Sequence, residues 1–157
     1  MRIIGPDRYR LDFDARKFEV TCPAGTKKFS GIATSRLPKL YVISVEQKPI
    51  YVGVTRQSVR NRLRFGWNAV GAGGYYGYAW RHKHTSAVLD IWCHVDASGE
   101  DLSLDIETVE AEVVYLIRCS GCFKQKFISI RQNRNIEELR RKLRPNMEFL
   151  LKVSTEA

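Results

Sequence analysis

The chain has 157 residues, a formal charge of +9 and a sequence pI of about 9.6. No internal repeat divides it, so a single domain over 1–157 is expected. No apolar run reaches the ~18 residues of a membrane-spanning helix, and Met1–Asp7 lacks the apolar core of a signal peptide; an intracellular, cytoplasmic protein with no membrane partner is the expectation.

The positive charge suits a polyanionic partner, and it is clustered. Arg56, Arg60, Arg62 and Arg64 come first, then Arg81, His82, Lys83 and His84, then a basic C-terminal part that includes Lys124, Lys126 and Arg131. The four cysteines are expected to be reduced in such a compartment. Cys119 and Cys122 form a lone Cys-x-x-Cys; a zinc site needs a second ligand pair, so free thiols are the preferred reading.

In chain order, Tyr9, Leu11 and Phe13 alternate with polar residues, and Phe18, Val20 and Cys22 do so again after a turn at 14–17. Alternation with period two marks half-buried strands, here an N-terminal hairpin added to a core sheet. An irregular basic connector follows over 26–38, in which Lys27, Lys28 and Arg36 are free to touch phosphate. Leu40–Ser44 and Ile50–Val54 are strand-like runs around a turn at Glu46–Pro49, which predicts a hairpin. Thr55 or Ser58 can cap a helix whose apolar side is Val59, Leu63 and Phe65.

Gly66–Tyr78 holds five glycines and four aromatics in thirteen residues. No Gly-Lys-Ser/Thr follows them, which excludes a P-loop. Its rings either face a nucleic acid or pack on the sheet. His82 and His84, two residues apart without an acidic neighbour, do not make a metal site; a phosphate contact or a general base is the functional alternative to an exposed turn. Ala87–Val95 is a third core strand, with Val88, Asp90, Trp92 and His94 on one face and Leu89, Ile91 and Cys93 on the other. Further on, 127–130 has strand character, Ile136, Leu139 and Leu143 mark a helix that Pro145 ends, and 149–153 is apolar.

Ile106, Val109, Val113, Leu116 and Ile117 recur at helical spacing and predict a helix over Ile106–Arg118, capped by Ser103 or Asp105. At about 100° per residue, Glu110 falls among the apolar positions, with Glu112 and Glu107 toward the flanks. A carboxylate on an apolar face is costly unless it is paired or binds a cation, which makes Glu110 the candidate for chemistry. Glu112 is the alternative registration.

Tyr41-Val42 and Tyr51-Val52-Gly53 followed by Thr55, Ser58-Val59-Arg60-Asn61-Arg62-Leu63 and the glutamate helix resemble the GIY-YIG nuclease family over 39–118, about half the chain. Lys39 and Leu40 stand where the first half of the signature has Gly and a branched residue. The resemblance implies a small α/β (α+β) core, a three-stranded antiparallel sheet flanked by helices, with extensions at 1–38 and 119–157. It implies a divalent-metal-dependent DNA endonuclease that hydrolyses phosphodiester bonds. Glu110 would hold a single Mg²⁺ or Mn²⁺. Arg62 would clamp the scissile phosphate, Tyr41 would help deprotonate the attacking water, and Tyr51 would orient it. A phenol needs a cationic neighbour to serve as a base near pH 7.

Many members keep a His or Tyr four residues after the arginine, where this chain has Gly66. Tyr76 and His82, with Tyr78 and His84 as alternatives, are candidates to supply that group from elsewhere. Gln132 and Asn133 are candidates for the late Asn of the family. Duplex DNA is the expected partner, with Arg56, Arg60, Arg64, Arg81, Lys83, Lys124, Lys126 and Arg131 as contacts, and a homodimer is compatible with this. The compact size resembles the restriction-type members. The alternative expectation is a non-catalytic nucleic-acid-binding module on the same scaffold.

Overall fold

The computed structural model describes residues 2–72, 75–96 and 104–120. Five strands, β1 (Ile3–Phe13), β2 (Phe18–Thr21), β3 (Lys39–Val45), β4 (Lys48–Thr55) and β5 (Ser86–His94), form one antiparallel sheet in the order β2-β1-β5-β3-β4. Two helices, α1 (Val59–Trp67) and α2 (Leu104–Cys119), complete an α+β domain, as expected. The N-terminal hairpin β1-β2 extends the sheet by pairing β1 with the outer side of β5. The features expected at 124–153, including Lys124, Lys126, Arg131, Gln132 and Asn133, and the partner cysteine Cys122, lie outside the described residues.

The alternation of β5 divides the core as its sequence predicts. Leu89 and Ile91 join Tyr41, Ile43, Leu11 and Phe13 on one face, with Val59, Leu63 and Trp67 of α1. Trp92 joins Leu40 and Val52 on the other face, beneath Ile106, Val109 and Val114 of α2. Helix α1 is capped by Ser58, whose side chain accepts from the Asn61 amide at 3.4 Å, while Thr55 Oγ1 accepts from the Gln57 amide at 3.1 Å. Its buried side is Val59, Leu63, Gly66 and Trp67, the i, i+4, i+7, i+8 stripe. Phe65 lies off that stripe and is 62% exposed, a correction to its expected place in the core.

The β3–β4 turn is also tighter than expected. Only Glu46 and Gln47 lie between the strands, both with positive φ (50° and 62°), the signature of a type I′ hairpin turn. Pro49 is therefore within β4, opposite Ser44 and next to a bulge. Proline is tolerated there because β4 is an edge strand and its missing N–H leaves no ladder bond unmade.

Candidate active site

Tyr41 and Tyr51 come together through strand register. Tyr41 lies opposite Gly53, and Tyr51, two residues before Gly53, points to the same face. Their rings stack with centroids 5.8 Å apart and planes 29° from parallel. Gly53 is what allows this: a Cβ there would stand 2.7 Å from the Tyr41 phenol and 2.8 Å from the Tyr51 ring. The glycine of the signature thus has a steric reason.

A third tyrosine completes the cluster. Tyr78 sets its ring edge-on to Tyr51 at 5.1 Å, and its hydroxyl lies 3.2 Å from that of Tyr41. Tyr78 donates to the Arg62 carbonyl at 3.3 Å, so Tyr41 is the donor in the bond between the two phenols. A Cβ on Gly66 would fall 2.2 Å from the Tyr78 ring, and one on Gly77 (φ +75°) would fall 2.0 Å from the Gly66 carbonyl. The bare backbone at 66 and 77 therefore lets the loop close on α1. The Tyr78 ring occupies the space that a side chain at position 66 would fill.

Arg62, half-buried on α1, faces this cluster. Its Nη1 donates to the Tyr75 hydroxyl at 3.5 Å, and its guanidinium lies 5.7 Å from the Tyr75 ring and 5.8 Å from the Phe65 ring, which are themselves stacked at 5.5 Å. Burial opposes its charge, but the surrounding phenol oxygens Tyr41, Tyr78, Tyr51 and Tyr75 favour the cation.

Glu110 approaches from α2 and is half-buried. Burial first, then the neighbouring Glu107, pushes its carboxyl up from 4.5 to about 7, against the opposing pull of Arg62. Glu110 and Arg62 feel each other electrostatically, and no ion pair joins them among the described residues. Among the described residues no three His, Cys, Asp or Glu side chains converge as a metal cage. An oxygen-only donor with an unrelieved like-charged neighbour fits a hard cation that keeps most of its waters.

The expected base role of Tyr41 needs correction. Tyr41 is 0% exposed, and burial, reinforced by Tyr78 and Tyr51, raises its pKa well above that of an ordinary phenol despite Arg62. It is a neutral donor, enclosed away from water. Burial raises Tyr51 too, although Arg62 works in the other direction, and Tyr51 is partly buried where Tyr41 is wholly enclosed.

The other expected residues are dispersed. Tyr76 is 76% exposed, and it makes no ring or hydrogen-bond contact with the cluster among the described residues. His82 accepts from Arg81 Nε at 3.1 Å. Arg81 also donates to the Gly66 carbonyl at 3.1 Å and to the Trp67 carbonyl, so it satisfies the C-terminal end of α1 rather than facing outward. Arg60 lies over the Phe29 ring at 5.8 Å. Arg56, Arg64 and Lys83 are exposed.

Two residues carry more than their sequence context suggests. Tyr75 flanks Arg62 with no spacing that marks it beforehand; the nearest signal is the density of glycines around it. Lys39 is fully buried, and its ammonium donates to the carbonyls of Ser35 and Leu37, both at 2.7 Å, and to Ser35 Oγ at 3.4 Å. Burial lowers its pKa, with a weaker opposing effect from Cys93. It fastens the connector to the sheet.

No protein-family model, curated protein or solved structure matches this chain.

Proposed function

We propose that the domain is a divalent-metal-dependent DNA endonuclease of the kind its paired-tyrosine signature resembles. The observation that supports this most is the convergence of Tyr41, Tyr51, Tyr78 and Arg62 from three separate parts of the chain, with the Glu110 carboxylate beside them. In this reading Arg62 binds the scissile phosphate through charge-assisted bonds, and the Tyr75 and Phe65 rings hold its fork in place. Tyr51, less enclosed than Tyr41, orients the attacking water. Tyr41 and Tyr78 relay no proton to solvent; they fix the position of Tyr51 and of the α1 backbone at Arg62. Glu110 would hold a Mg²⁺ or Mn²⁺ ion. Such an ion supplies, when bound, charge neutralisation for the phosphate and the departing oxygen.

One observation favours the runner-up, a nucleic-acid-binding module without cleavage: the enclosed, neutral Tyr41 removes the phenol that the resemblance assigns to water activation. Incubation with supercoiled plasmid and Mg²⁺, with and without EDTA, separates the two. EDTA-sensitive nicking or linearisation is the expected result. A gel shift with intact plasmid at every metal concentration would replace the nuclease with the binding module.

A further inference from the structure

A cavity of about 490 Å³ opens between the short 3₁₀ turn Gly31–Thr34 and the start of α1, lined by Thr34, Arg36, Arg56, Gln57, Ser58 and Asn61. Every lining side chain can hydrogen-bond, two are guanidinium groups and none is acidic. Arg36 and Arg56 make no hydrogen bond or ion pair among the described residues. Other arginines are engaged: Arg8 on Asp90, Arg10 on Asp12, Arg60 over Phe29, Arg81 on the α1 carbonyls.

Two like charges around one cavity repel unless an anion joins them. The backbone that carries the first is held in place, because the buried Lys39 ammonium binds the carbonyls of Ser35 and Leu37 on either side of Arg36. The volume exceeds that of a phosphate group and leaves room for an attached sugar and waters, given that a water occupies about 30 Å³.

We infer that this cavity is a second phosphate site, which takes an internal phosphodiester of the strand that Arg62 engages. Arg36 and Arg56 bind its oxygens. The carboxamides of Gln57 and Asn61 and the hydroxyl of Ser58 are placed for the remaining phosphate and sugar oxygens, while the Thr34 hydroxyl already donates to the Gly31 carbonyl at 2.9 Å. Ser58 precedes Arg62 by four residues, just over one helical turn or about 6 Å along the axis. That matches one to two nucleotide steps at about 3.4 Å each. The inference takes its substrate from the nuclease reading, but binding alone tests it.

The test uses the full chain and fluorescence anisotropy with a labelled duplex in EDTA over a range of KCl concentrations. Arg36→Gln, Arg56→Gln and the double variant are compared with Arg10→Gln, whose arginine is paired with Asp12 on β1. All of these arginines are exposed, so unchanged melting curves are expected. Each phosphate contact contributes about 0.9 to the salt slope, so the double variant should lose about 2 from it, with Arg10→Gln close to wild type. An unchanged slope in the double variant, or an equal loss in Arg10→Gln, overturns the site. A loss seen with 5′-phosphorylated linear duplex but absent with closed circular DNA overturns the internal phosphodiester. Wild-type protein that binds with the expected slopes but never cuts sinks the nuclease and spares the cavity. Cleavage by wild type with an unchanged double-variant slope does the reverse.

Discussion

A guanidinium and an ammonium are not equivalent at Arg62, because the Phe65 and Tyr75 rings flank a planar fork and, in the proposed nuclease, a phosphate would meet it in two bonds. Arg62→Lys is expected to lower the cleavage rate by roughly 100-fold or more, the scale of one lost transition-state contact, with only a small change in DNA affinity. Single-turnover rates beside a binding titration check this. Near-wild-type cleavage would remove Arg62 from the chemistry. Glu110 makes a prediction about pH. Its carboxyl is held near 7 in the folded chain against an ordinary 4.5, so the native state retains the proton more tightly. Its stabilising contribution is full below about pH 4.5 and is lost as pH rises through about 7, by at most about 3 kcal/mol before solvent screening of this half-buried group. Urea denaturation at pH 5 and pH 8 should show Glu110→Gln gaining on wild type at the higher pH, and Mg²⁺ should narrow that gap by stabilising wild type alone. A variant that tracks wild type at both pH values would contradict the burial of this carboxyl. Tyr41, Tyr51, Arg62 and Glu110 were legible as candidates because spacing and helical phase depend on neighbours in sequence. The protonation of Tyr41 was not, since it depends first on burial and then on the phenols of Tyr78 and Tyr51, all of which arrive by tertiary packing.

At the scale of elements, the strands and both helices were readable from period-two and period-3.6 patterns, and the faces of β5 divided as its alternation requires. The misread places are those where backbone geometry departs from local propensity. Positive φ at Glu46 and Gln47 makes a two-residue turn from residues that rarely adopt it, and Pro49 passes into a strand that is at the edge of the sheet among the described residues. The glycine-aromatic loop divides three ways: Trp67 and Tyr78 enter the core, Tyr75 flanks Arg62, and Tyr76 points outward. Its closure on α1 depends on two bare positions. Gly66→Ala should therefore cost about 1–3 kcal/mol, the range for overpacking, and displace Tyr78. A thermal melt of Gly66→Ala beside the parent chain measures it. Equal stability in Gly66→Ala and wild type would mean that Tyr78 does not sit against α1.

At the scale of the molecule, charge and sheet order matter most. The arginines at 36, 56 and 64, without an ion pair among the described residues, add to Arg62 as potential phosphate contacts, and the basic C-terminal part adds more charge. With about 0.9 per contact, the slope of log affinity against log salt for wild type should be steeper than about −4. A nearly flat response would remove the nucleic-acid reading as a whole. Sheet order has a different bearing. With β1 laid along β5, the margins of the sheet among the described residues are β2, four residues long, and β4. Unpaired strand margins invite another chain to dock by backbone hydrogen bonding, and charged residues, proline and bulges blunt that tendency. Along β4 all three occur at one end: Lys48, Pro49 and the bulge opposite Ile43 and Ser44. These features oppose backbone pairing of protein copies at that end of β4. Pro49→Val restores a donor to this margin, and light scattering at rising protein concentration should then detect self-association that the parent chain resists.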